Sequence, residues 1–335
     1  MPTSARSPRL ASAIFASVTA MVIACGSSSD APGSSIDASI PKIDSGAHSD
    51  ASETPGDASE TLGDAPAQVD ALPVEVDRLP FKGLPAAASY DAQVRQVAGQ
   101  ALDTTLADLG VAGFVATAAT TNDAGYTIFG FHAAASATTY ATQINQVNGS
   151  GLDGALTDLG NRGYLVTAAV TNTAGYTLFG VHAAGTTAPF TTRVAQVAGS
   201  SLESTANDFG TAGYVVSAVT TNTAGYTLFG LRPTDGAART TRVDQVVGSQ
   251  LDATVAAIGA AGLVVTSLVS NTAGYTLFSV RPTQGAAAAY DIRVSQVAGA
   301  SLSTTAADLG STGYVITAAT TNTAGYTLIA CRPAP

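Results

Sequence analysis

Nucleophilic, acid–base and metal chemistry needs histidine, cysteine, lysine or paired carboxylates in company with one another. This chain of 335 residues offers few of them: His48, His132 and His182, Cys25 and Cys331, and Lys42 and Lys82. Zinc needs three or four clustered N, S or O ligands, and no such spacing occurs. The phosphate-cradling loop, the GxSxG nucleophile elbow, HExxH and CxxC are all missing from the sequence. Lysine stops at Lys82, which takes Schiff-base chemistry and lysine-rich nucleic-acid patches away from everything downstream. The sequence therefore predicts no catalytic residues, no metal and no cofactor.

What polar chemistry remains is repeated. Gln96, Gln146, Gln196, Gln245 and Gln296 recur in register, as do Asn122, Asn172, Asn222, Asn271 and Asn322. Asp108, Asp158, Asp208 and Asp308 form a third series, replaced by Ala257 in the fourth copy, and His132, His182, Arg232, Arg281 and Arg332 form a fourth. The glutamines read as buried amides satisfying backbone groups where a strand breaks, rather than as ligand-facing amides. The asparagines begin turns, where an Asx-turn accounts for them. The aspartates fall in the last turn of a helix, where an acid opposes the dipole; pairing with an arginine or a backbone donor is the only rationale the sequence offers. The basic series, at strand ends, is the candidate ligand rim, because arginine forks suit carboxylate and phosphate groups.

The elements that must position these residues begin after a distinct N-terminal region. Residues 1–9 carry Arg6 and Arg9 and no acid, and an apolar run from Leu10 to Ala24 ends in Val22-Ile23-Ala24-Cys25. This order marks a secretory signal, and fifteen apolar residues fall short of the roughly 20 a spanning helix needs. The stretch resembles the lipobox of bacterial lipoproteins, which implies a signal peptide over 1–24 and acylation of Cys25 by a palmitate-type lipid. Gly26 follows the cysteine, so by the same resemblance the outer membrane or the cell surface is the expected address. Residues 25–85 read as a disordered tether: between Gly26 and Leu84 eleven acids face Lys42, Arg78 and Lys82, a net charge of −8, with almost no aromatic residues. Its aspartates, spaced six or seven apart, are too dispersed for a calcium loop.

After residue 85 one phrase returns five times, at Tyr126, Tyr176, Tyr226, Tyr275 and Tyr326: GYTIFGFH, GYTLFGVH, GYTLFGLRP, GYTLFSVRP and GYTLIACRP. The repeats fall at 86–136, 137–186, 187–236, 237–286 and 287–335. In the fifth, an alternating strand starts at Tyr290 and breaks at Gly299. Leu302, Ala306 and Leu309 then give one face of a short helix, expected to stop at a left-handed Gly310. A β-branched strand, YVITAATTN, a turn at Asn322–Gly325 and a third strand follow. The predicted fold class is α+β, five tandem βαββ units of about 50 residues. Leu228 on one face and Phe229 and Leu231 on the other make the third strand central, giving sheet order 1-3-2 with a neighbouring unit over the second face. Copies one and five carry no polar end cap, so closure into a pseudo-five-fold, propeller-like ring is expected over a linear array of small domains. Cys331, aligned with Phe131, Val181, Leu231 and Val280, reads as a buried filler.

The stretch LxxxLxDLGxxGYxVxxxxTNxxGYTLFGxRP resembles the small bacterial βαββ family known as domain of unknown function 4177. The matching residues in copy one are Leu106, Leu109, Gly110, Gly113 and Phe114, with Tyr164, Tyr214, Leu263 and Tyr314 in the place of that family's tryptophan, a residue this chain lacks. The resemblance implies the βαββ fold and no activity. At the level of topology alone the chain is also similar to five-fold α/β propellers that include guanidino-modifying hydrolases; those need a catalytic cysteine with histidine and acid partners, whereas Cys331 falls in a strand-interior apolar slot. With nine arginines against thirteen acids after residue 85, a net of −4, nucleic acid is not an expected partner. The reading is a non-catalytic, exported and lipid-anchored envelope protein acting as a binding or scaffold module. Its expected partners are the membrane, through Cys25, and an anionic envelope polymer or another envelope protein. The alternative is an enzyme whose site forms between repeats.

Overall fold

The computed structural model describes residues 79–183, 188–233, 236–281 and 289–334. The expected signal peptide, Cys25 and the expected tether up to residue 78 lie outside them. Residues 79–84, within the expected tether, are among those described. Leu79–Phe81 is a turn of 3-10 helix, and Lys82 and Leu84 are buried. Phe81 supplies the reason: its aromatic ring packs on Tyr290, 5.7 Å between centroids, and Leu84 enters the core beside Tyr90 and Tyr314.

Five βαββ units follow. Unit one comprises β1 (Tyr90–Val97), α1 (Leu102–Val111), β2 (Val115–Asn122) and β3 (Gly125–Ala133). Unit two has β4 (Tyr140–Val147), α2 (Leu152–Asn161), β5 (Leu165–Asn172) and β6 (Gly175–Ala183). Unit three has β7 (Thr191–Val197), α3 (Leu202–Thr211), β8 (Val215–Asn222) and β9 (Gly225–Arg232). Unit four has β10 (Thr241–Val246), α4 (Leu251–Ala260), β11 (Val264–Asn271) and β12 (Gly274–Val280). Unit five has β13 (Tyr290–Val297), α5 (Leu302–Ser311), β14 (Val315–Asn322) and β15 (Gly325–Pro333). Every sheet is three-stranded and antiparallel, with the third strand in the middle, as its two apolar faces require.

The helix end explains the phrase Leu-Gly-x-x-Gly-aromatic. The Phe114 amide donates to the Leu109 carbonyl at 2.8 Å and the Gly113 amide to the Gly110 carbonyl at 3.0 Å, a Schellman motif with Gly113 left-handed at φ +81°. The same pair of bonds recurs in all five units, so the aromatic position is the hydrophobic residue that closes the motif over Leu109 and its equivalents. This corrects the expected stop at Gly310: α5 runs on to Ser311, and the left-handed residue is Gly313 at φ +83°. The reason for Gly310 is proximity. A Cβ there would lie 2.5 Å from the carbonyl oxygen of Tyr90, in the first strand of unit one, and a Cβ at Gly160 would lie 2.6 Å from the Phe190 carbonyl in unit three.

Packing follows the two parities of the third strand. Leu228 joins Leu202, Ala206 and Phe209 of its own helix, while Phe229 and Leu231 join Leu152, Leu156 and Leu159 of the preceding unit's helix. Phe129 and Phe131 of unit one likewise pack with Leu302, Ala306 and Leu309 of unit five. Each such buried side chain contributes roughly 1.5–3 kcal/mol, so a unit's third strand is held about equally from both sides.

Candidate functional site

The second strand of each unit carries one irregularity, and it is the same one. Pairing with the third strand shifts at Thr117, Thr167, Ser217, Thr266 and Thr317, a β-bulge in every unit. A bulged residue is left out of the ladder and its side chain is re-aimed. In three units the hydroxyl turns to a neighbouring unit's backbone, whereas Thr167 and Ser217 reach only the Phe179 and Phe229 carbonyls of their own units, at 3.4 Å. Thr117 Oγ1 donates to the Ile316 carbonyl at 2.5 Å, Thr317 to that of Val265 at 2.5 Å and Thr266 to that of Val216 at 2.6 Å. Sequence reasoning took these threonines only as strand formers; the signal was a hydroxyl at one register in all five copies.

These residues, with the small side chains that follow them, line a single pocket to which all five units contribute. Its occupant comes from the end of the tether. Lys82, 1% exposed, sends its ammonium group to the backbone carbonyls of Ser217 and, at 2.7 Å, Thr266. A free volume of about 30 Å³ remains beside it. The pocket walls carry no carboxylate, only Thr, Ser, Ala, Val and Leu. Burial without a counter-charge accordingly pushes the Lys82 amine down from 10.5 to about 7. Lysine also adopts a left-handed φ of +61°, with Gly83 at +83° after it, so the backbone is bent to deliver the side chain inward. Cys331 is buried, as its apolar alignment predicts, with Sγ 3.5 Å from Thr317 Oγ1, and burial pushes its thiol up to about 11. A thiol so held is not a nucleophile.

The repeated polar residues are engaged at the junctions between units. The Tyr126 hydroxyl meets Thr177 Oγ1 at 3.0 Å and accepts from Asn172 Nδ2 at 2.9 Å, joining units one and two. Tyr176, Tyr226 and Tyr275 make the same two bonds to the unit after their own. The Tyr326 hydroxyl makes them with Thr127 and Asn122 of unit one, both at 3.0 Å, with Gln96 Nε2 at 3.3 Å. The asparagines also make the expected Asx-turns, Ala124 N to Asn122 Oδ1 at 2.9 Å being the first. The glutamine expectation is corrected: Gln96, Gln146, Gln196, Gln245 and Gln296 are exposed, because strand one is an edge strand with solvent along it. Gln96 and Gln196 donate to the adjoining unit's tyrosine hydroxyl instead of serving backbone groups.

The basic series is used within each unit. Arg281 donates to the Ala261 carbonyl at 2.8 Å and Arg332 to that of Thr312 at 2.9 Å, so both satisfy the last carbonyls of a helix. Arg332 also bonds Asp291 at 3.0 Å and lies over the Tyr314 aromatic ring, and Arg232 lies over Tyr214. The Tyr314 hydroxyl bond and the Arg332 guanidinium hold the Asp291 carboxyl below its ordinary range. His132 meets the Ser136 carbonyl at 3.0 Å and packs against Phe114, and His182 packs against Tyr164. In the aspartate series, Asp158 pairs with Arg162 at 3.2 Å on the surface. Asp108 borders an open groove of about 360 Å³ with Arg95, Gln93 and Gln96.

Among the described residues no group of three or more His, Cys, Asp or Glu is placed to hold a metal ion, and no helix is long and apolar enough to cross a membrane. No family model matches the chain, and no curated protein matches it.

Proposed function

We propose that the chain is an exported lipoprotein anchored through an acylated Cys25, whose five units close into a ring acting as a non-catalytic binding or scaffold module of the cell envelope. The observation that carries this reading is where the recurrent polar residues are spent. Tyrosine, threonine and asparagine hold unit to unit, and the basic residues dress helix ends. An enzyme concentrates its chemistry in singular residues, and two singular buried ones here are a thiol raised to about 11 and a lysine enclosed without an acid partner. Closure is supported by the Tyr326 junction, which gives unit five the same partners in unit one that every other unit finds in its successor. The contribution of all five units to one pocket supports it as well. Likeness to domain of unknown function 4177 remains a proposal for the single unit, and the Schellman step at Leu109–Phe114 is the feature that supports it.

An anionic envelope polymer, engaged at the strand ends that carry His132, His182, Arg232, Arg281 and Arg332, is the proposed outward partner, and nucleic acid is not proposed. Small-angle scattering on residues 79–335 tests the closure: a compact body of this length has a radius of gyration of about 18 Å. A markedly extended profile rejects it. Pull-down from the native envelope with the same lipid-free body tests the binding role separately; capture of nothing above a unit-scrambled control rejects that part alone.

A further inference from the structure

The pocket at the meeting of the five units holds a ligand already, and that ligand is chemically specific. Lys82 is presented on an apolar hook, Phe81 on one side and Leu84 on the other, and only its terminal nitrogen finds polar partners. Those partners are backbone carbonyls, of Ser217 and Thr266, which are acceptors alone and so require a donor. The bulged hydroxyls of Thr117, Thr266 and Thr317 donate elsewhere, to the carbonyls of Ile316, Val216 and Val265, and are not spare donors for an anion. With no carboxylate in the wall, the pocket offers a terminal nitrogen two carbonyl acceptors and no counter-charge, so it recognises N–H donors and not charge. With Lys82 seated only about 30 Å³ stays free, so the space the side chain fills is that of an unbranched alkyl chain.

We propose that this pocket is a binding site for the terminal primary amine of an unbranched alkyl chain, occupied in cis by Lys82. The segment 79–84 is then a strap fastened by its lysine, and the same site accepts an amine in trans when the strap's own side chain is withdrawn. The rival explanation is that Phe81 and Leu84 alone hold the strap and Lys82 is carried in with them. The two differ in one respect: only the first gives the empty pocket an affinity for free amines. The proposal rests on the pocket and its two carbonyls, and it stands or falls apart from the envelope role.

The test is a chemical rescue. In full-length Lys82→Ala the atoms removed, from Cγ to Nζ, are those of n-propylammonium. Adding that ion at about ten times its dissociation constant should raise the melting temperature by roughly 3–6 °C, saturably. Wild type, its pocket filled, should not respond. Tetramethylammonium carries the charge without an N–H donor, and tert-butylammonium carries the donors on too wide a group; neither should rescue. Should Lys82→Ala fail to fold alone, refolding yield with and without n-propylammonium becomes the readout, and recovery in its presence supports the site. No rescue in either readout overturns the proposal. So does equal stabilisation of wild type, or rescue by tetramethylammonium as good as that by n-propylammonium.

Discussion

Gly310→Ala puts the closure of the five units to a quantitative test, because a methyl group is added where unit five meets unit one. Inside a helix, Gly→Ala ordinarily stabilises, by about 0.5–1 kcal/mol. Gly154, in α2, shows the ordinary case: a Cβ there meets nothing within 4 Å. At Gly310 the new Cβ falls 2.5 Å from the Tyr90 carbonyl oxygen, 3.3 Å from its carbon and 3.4 Å from the Ala92 Cβ. Ordinary contact to such an oxygen begins near 3.4 Å, so α5 and β1 must separate by the better part of an ångström. The atom in the way is backbone, which cannot rotate aside as a long side chain would. Overpacking of this kind costs typically 1–3 kcal/mol, which exceeds the helical gain and leaves a net loss of about 1–2 kcal/mol. For a body of this size that lowers the melting temperature by roughly 2–8 °C, whereas Gly154→Ala should raise it by about 1–4 °C. Calorimetry or thermal circular dichroism on the two variants side by side reads both signs. In an open array the end helix has no strand against it, so Gly310→Ala would stabilise as Gly154→Ala does. That outcome refutes the closure.

Lys82 has a pH signature. Its amine is lowered in the folded chain and ordinary in the unfolded one, so the penalty of burying a charge is present in full below about pH 7 and lifts as pH rises towards 10.5. Stability should therefore climb between pH 7 and 8.5 with a slope of up to about 1.4 kcal/mol per unit, and Lys82→Met should flatten it. With only Lys42 and Lys82 in the chain, 13Cε NMR should resolve one lysine titrating near 7; two lysines near 10.5 would contradict the burial. Tyr326→Phe strips the hydroxyl that Asn122, Thr127 and Gln96 share and should cost about 1–3 kcal/mol, like Tyr226→Phe; no loss would place Tyr326 outside any junction. Replacing Arg232, Arg281 and Arg332 together by Gln should abolish salt-sensitive retention on an anionic polysaccharide and, by baring helix carbonyls, reduce stability by about 1–3 kcal/mol. Unchanged retention discards the polymer. Cys25→Ser should leave the precursor unprocessed or release it from membranes, and an intact mass without lipid on the native protein ends the lipoprotein reading.

Much of the fold was written in local pattern. Leu228 and Phe229, adjacent and both apolar, force a strand covered on two faces, and from that the 1-3-2 order and the neighbour's helix follow. Asn122 and its equivalents announce their turns because an Asx-turn is satisfied within three residues. The failures are non-local or marginal. The parity of strand one suggested buried glutamines, but an edge strand is wet on both parities and its alternation carries little information. Gly310 was read as a cap because a glycine near a helix end is usually one; its real constraint, the Tyr90 carbonyl, lies 220 residues away. Lys82 was least legible of all. It is a single residue, outside the repeats, in low-complexity sequence, and its acceptors stand 135 and 184 residues further on. The only clue was Phe81 beside it, the first aromatic residue after Phe15.

The five tyrosine junctions are chemically alike but close very different lengths of chain. Four of them link residues about 45–52 apart, such as Asn172 and Tyr126 at a separation of 46, while Asn122 and Tyr326 are 204 apart. Bringing ends together across a fourfold longer loop costs about 1.2 kcal/mol more in chain entropy. If the units close as proposed, identical glue should set last at one seam, that between units five and one. The same seam is the natural place for the body to breathe, and its amides should exchange with solvent ahead of those at the other four. The Lys82 hydrogen bonds do not reach it, since they go to units three and four, and at the seam the strap offers only the apolar contacts of Phe81 and Leu84.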